Sequence, residues 1–182
     1  GMLKVKQLRI HKGLCHWLLK RFDLTSCTMA INNRPVNVLE ADVASIFGLN
    51  NGGMDVVTLG EYGTMSKICK KLNLNDKGEI KVMVLEEELI TMARDDDEFK
   101  GKFILYCFGI LLCPYMEESV DRTYVYSLTE NAFTDNINWA KQVYNDLLSG
   151  IRKFIVESSN YISGCVVILL VFIPCILYII FL

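Results

Sequence analysis

The sequence predicts a mainly α-helical domain with one small β-hairpin near residues 26–38 and a C-terminal apolar helix. Three observations predict it. Apolar residues recur at helical spacing in several stretches, most regularly at Ile137, Ala140, Tyr144, Leu147, Ile151 and Phe154. A period-two pattern brackets the turn signal Asn32-Asn33. The last nineteen residues, Gly164–Leu182, carry no charge and must be hidden from water. With 182 residues and 52% hydrophobic content, the chain can bury one sizeable core.

Taken in order, residues 1–12 form a basic segment containing Lys4, Lys6, Arg9 and Lys12. It lacks the continuous apolar stretch of a signal peptide. Leu14, Trp17, Leu18 and Phe22 recur at helical spacing and predict an amphipathic helix ending near Asp23. Cys27, Met29 and Ile31 alternate with Thr28 and Ala30, and Val36 and Val38 flank Asn37, which makes the hairpin. Pro35 places it at a sheet edge. Leu39, Val43, Ile46 and Phe47 predict the next helix, stopped by Gly48. Asn50-Asn51-Gly52-Gly53 is a loop, and a short helix follows through Met65, Ile68, Cys69 and Leu72.

Val82, Leu85, Leu89 and Met92 form a further helical stripe with Glu86, Glu87 and Glu88 on its flank. Asp95–Glu98 precede the strongly apolar helix Phe99–Cys113, where acidic first-turn residues offset the helix dipole. Its uninterrupted apolar part, 103–113, is too short for a bilayer, so it is expected in the core, stopped by Pro114. A short helix is expected around Tyr124–Leu128. The helix through Ile137–Phe154 follows, broken by Ser158-Ser159-Asn160. The expected organisation is thus a basic segment 1–12, a helical module 13–163 and an apolar segment 164–182.

No catalytic, cofactor-binding or metal-binding residue emerges. His11, Cys15 and His16 lack a second ligand pair at zinc spacing. Cys15 and His16 are adjacent, so on a helix they point apart, against a nucleophile–base pair. Cys15 is expected in the core. An uncharacterised hydrolase is the remaining enzymatic alternative, with no readable site. The acidic runs 86–88 and 95–98 lack the interleaved Asn and Gly of a calcium loop and read as solvated faces. Neither 50–53 nor Gly60-Glu61-Tyr62-Gly63 is a phosphate-binding loop. The net charge of −2 supplies no global polycation, so nucleic-acid binding is not supported, and Lys4–Lys12 reads as a solvated face. Seven cysteines at irregular spacing read as reduced, buried thiols of an intracellular protein.

Several islands, in order, resemble the plant mobile domain family, also called aminotransferase-like, plant mobile domain. They are Cys15–Leu19 with Arg21-Phe22-Asp23, Asp42-Val43 leading to Gly48-Leu49, and Asp96–Lys100. Leu111–Pro114, Asn138–Lys141 continuing to Leu147-Leu148 and Gly150–Phe154, and Tyr161 with Gly164-Cys165 complete the set. The resemblance implies a transposon-derived, non-enzymatic protein acting through protein or chromatin partners in the nucleus, without cofactor. It fades after about Phe172, as expected of a truncated or degenerate copy.

The alternative is a tail-anchored membrane protein with a cytosolic main domain. Nineteen helical residues reach about 28 Å, near the ~30 Å hydrocarbon thickness. Arg152 and Lys153 precede that candidate transmembrane helix.

Overall fold

The computed structural model describes residues 12–58, 72, 79–92, 97–114, 118–128, 137–157, 159 and 163–171. The basic residues 1–11 and the expected short helix through Met65 and Cys69 lie outside them.

The first helix, α1, spans Lys12–Leu19. It buries Cys15, Leu18 and Leu19, while Leu14 and Trp17 face outward. The expected stripe of Leu14, Trp17, Leu18 and Phe22 is therefore corrected. The helix ends three residues earlier than Phe22, which starts a strand. Cys15, Leu18 and Leu19, at i, i+3 and i+4, share the buried face, and Trp17 lies off it.

Phe22–Asp23 (β1), Thr28–Ile31 (β2) and Arg34–Asn37 (β3) form an antiparallel sheet in that order. The expected hairpin is β2–β3, with Met29 opposite Val36 and Ala30 opposite Pro35. Asn32 and Asn33 take positive φ in its turn, which Asn tolerates better than other side chains. Pro35 lies on an edge strand, where a missing donor costs no ladder bond. Met29 and Ile31 point into the core.

Helix α2, Glu40–Phe47, starts where the Asp42 carboxylate accepts the Leu39 backbone N–H at 2.7 Å. It ends at Gly48, whose φ of 68° needs a residue without Cβ strain. A two-residue strand, Ile80–Lys81 (β4), pairs antiparallel with Ser119–Val120 (β5). This pairing was not expected from the sequence. Helix α3 runs Val82–Thr91 and α4 runs Asp97–Cys107, continued by a π-helical turn Phe108–Leu112. A 3-10 helix, Arg122–Ser127, is capped by Asp121, whose carboxylate accepts the Thr123 backbone N–H at 2.9 Å.

The longest helix, α5, is Trp139–Val156. Asn138 caps it by accepting the Lys141 backbone N–H at 2.9 Å. The Asn138 amide donates to Glu40 at 2.7 Å, and the Tyr144 hydroxyl donates to the Val38 carbonyl at 2.9 Å. These bonds tie α5 to α2 and the first sheet. Ala140, Val143, Leu147 and Ile151 are fully buried.

Of the apolar helix expected over 164–182, the structure describes residues 164–171, and 172–182 lie outside the described residues. The chain turns at Gly164, with φ of 84°, and is helical over 167–171, where the described residues end. Cys165, Val167, Ile168 and Leu169 join the main core. The segment crosses α5 at two glycines. A Cβ on Gly150 would collide with the Ser163 carbonyl, and one on Gly164 would sit 2.9 Å from Leu147 Cα. Among the described residues, no helix is long and apolar enough to cross a membrane.

Candidate functional site

The α3–α4 hairpin holds the most distinctive exposed surface. Val82 meets Gly109, Glu86 neighbours Tyr106 and Glu88 meets Lys102, so the two helices run antiparallel. Gly109 permits the close approach at one end. A Cβ there would lie 2.7 Å from Val82 Cγ2 and 2.8 Å from Val120 Cγ2.

The inner side of the hairpin is held by an ion triad. Lys102 is 4% exposed, the one charged side chain buried among the described residues. Its Nζ lies 2.9 Å from Glu88 Oε2 on α3 and 2.9 Å from Glu98 Oε1 one turn back on α4. Burial, the largest single influence, lowers the Lys102 pKa, but hydrogen bonds to Glu98 and Glu88 and their charges outweigh it and raise it overall.

The outer side is apolar and acidic. At 100° per residue, Met83, Glu86, Glu87 and Ile90 share the face of α3 opposite Leu85. Met83 is 64% exposed and Ile90 78%. Along α4 and its π-helical continuation, the half-buried Phe99, Phe103 and Tyr106 and the exposed Ile110 follow one another at steps of 4, 3 and 4, with Phe103 and Tyr106 also packed against the core. Phe99 stacks on Phe103 at 6.0 Å, and Ile110 is 49% exposed. Burial, then the Glu86 carboxylate, raises the Tyr106 pKa. A second, smaller apolar spot lies on α1, where the Arg21 guanidinium sits 3.9 Å over the half-exposed Trp17 ring.

The main cluster of buried titratable groups lies elsewhere, around Cys113, Tyr124, Asp146 and Cys165. Burial pushes the Cys113 thiol well up, helped by the Asp146 charge, and pushes Cys165 up to about 12. Burial also raises Tyr124 and Asp146. Cys107, also in the core, is pushed up to about 11 by burial. Such thiols are protonated at neutral pH and poor nucleophiles.

The residues weighed in the sequence separate in space. Cys15 is buried, while the adjacent His16 is exposed with its ring 5.0 Å from Phe154. His11 lies outside the described residues. Glu86 and Glu87 are exposed, whereas Glu88 and Glu98 hold Lys102 and Asp97 pairs with Lys100 at 3.1 Å. The Asn50 amide donates to the Gly52 and Ile137 carbonyls, so that loop is structural, and Gly60–Gly63 lies outside the described residues. Among the described residues, no group of three His, Cys, Asp or Glu could hold a metal. The sequence reading passed over Met83 and Ile90. The signal was their spacing of seven, off the inward stripe of Val82, Leu85, Leu89 and Met92.

No curated protein and no solved structure matches the chain. The resemblance to the plant mobile domain is overturned, because the family model that matches is a different one. The islands behind it have ordinary structural roles here. Leu112-Cys113 close a core helix, Trp139-Ala140 open α5, and Gly150 and Gly164 mark a helix crossing. Any helical domain places such residues at such points. The nuclear and transposon-related expectations, which rested on that resemblance, lose their basis with it. Across residues 1–170 the chain matches the model of the domain of unknown function DUF8566, and it belongs to that family.

Proposed function

We propose that this domain is a non-enzymatic module that works through protein partners. The observation that carries this reading is the outer face of α3–α4, where Met83, Ile90 and Ile110 are exposed together. Exposed single apolar residues are ordinary, but a run of them across two packed helices marks an interaction surface. Covering Met83 and Ile90 would contribute about 1.5–3 kcal/mol each.

The test is crosslinking mass spectrometry of the full chain in extract from its own cells. Crosslinks to other proteins should concentrate on α3–α4 or α1 and disappear with Met83→Ser/Ile90→Ser or Trp17→Ser. Crosslinks no more frequent than those of a variant carrying all three changes would overturn the proposal.

A further inference from the structure

We infer that the outer face of the α3–α4 hairpin receives a basic amphipathic helix from a partner protein. The inference rests on the partner-binding reading above and names the occupant. Three observations carry it.

The first is charge. Residues 82–110 hold seven acidic and three basic side chains, although the whole chain is only −2. The rest of the chain, with 16 Lys and Arg against 14 Asp and Glu, is slightly basic, so the sequence concentrates its negative charge in residues 82–110. Lys102 pairs with Glu88 and Glu98, and Lys100 with Asp97, so the acidic character of the outer face comes from the exposed Glu86 and Glu87.

The second is where the carboxylates stand. Glu86 and Glu87 lie between Met83 and Ile90 on the same outward face, so charge and apolar surface form one patch. Polyanions such as nucleic acid and anionic lipid headgroups are repelled by such a patch. A helix with Lys or Arg between apolar anchors meets both features.

The third is dimension. Met83 to Ile90 spans two helical turns, about 10 Å, and the α4 stripe Phe99–Ile110 spans about 16 Å. Together they offer a two-helix face long enough for an amphipathic helix to lay anchors at i, i+3 or i+4, and i+7.

The experiment pans a displayed library of random 16-residue peptides on the full chain and measures the winners by fluorescence anisotropy. The expected winners carry Lys or Arg between apolar residues at helical spacing. Their affinity should fall at least about tenfold with Met83→Ser/Ile90→Ser and again with Glu86→Lys/Glu87→Lys. Added salt should weaken binding to the native chain and not to the charge-reversed one. Winners without basic residues, or winners indifferent to both double variants, overturn the assignment. Winners lost only with Trp17→Ser overturn it too, but leave the partner-binding reading standing. A dimer of the chain dissolved by Met83→Ser/Ile90→Ser gives the face to a second copy and overturns the basic-helix occupant. Failure to enrich any peptide overturns the assignment, and crosslinks that persist beside it keep the broader reading.

Discussion

Helices α5 and α3 are both amphipathic, yet they use their apolar residues differently. In α5, Trp139, Ala140, Val143, Leu147 and Ile151 all point inward, and large exposed apolar side chains occur only in the last turn, at Ile155 and Val156. In α3, Leu85 is the fully inward residue, and Met83 and Ile90 stand on the opposite side in water. A core explains α5 up to its last turn. It does not explain α3, because side chains opposite the core add nothing to packing. The difference separates apolar residues that hold the fold from those left over for another purpose.

The largest effect that sharpens this comparison is expected at Ile168. It is fully buried in the core that α5 organises. Ile168→Ala should destabilise the chain by about 2–5 kcal/mol in urea unfolding. A loss under about 1 kcal/mol would mean that the C-terminal segment is not core.

Gly150→Ala comes next. The new Cβ must displace the Ser163 backbone where the C-terminal segment crosses α5. A cost of about 1–3 kcal/mol is expected, with faster hydrogen exchange at residues 165–169. Unchanged exchange there would break the link between the two glycines.

Asp146 gives a smaller, pH-dependent effect. Burial raises its pKa in the folded state. The folded chain therefore holds the proton more tightly than the unfolded chain. The stabilisation this brings is present below the unfolded pKa and lost as pH rises through the folded one. Asp146→Asn should therefore compare more favourably with the native chain at about pH 7 than at about pH 3. The opposite trend in denaturant unfolding would reverse the assigned direction.

The sequence made α5 legible because its stripe persists over five turns and starts at a capping Asn. The hairpin β2–β3 was legible for a local reason too, since Asn32-Asn33 accepts positive φ. What stayed hidden was non-local. β4 and β5 have two residues each and pair across about forty positions, so neither leaves a periodic trace. Hydropathy cannot distinguish lipid from a protein core, so the apolar pattern alone does not place Cys165–Leu169. Only the approach of Gly164 to Leu147 settles where Cys165–Leu169 go. On α1, Leu14, Trp17, Leu18 and Phe22 fit a helical stripe as well as Cys15, Leu18 and Leu19 do, and two turns are too few to choose between them. The candidate site was half legible. Met83, Glu86, Glu87 and Ile90 can be read onto one face from spacing alone, but the partnering of α3 with α4 requires the fold.

The central claim is that the inner face of α3 builds the domain and the outer face does not. Urea unfolding of Leu85→Ala beside Met83→Ser/Ile90→Ser tests it most directly. Leu85 is 1% exposed, so its truncation should cost about 2–5 kcal/mol. The double outer variant should stay within about 0.5 kcal/mol per site of the native chain. An outer variant that unfolds as easily as Leu85→Ala would place Met83 and Ile90 in the core and contradict the account.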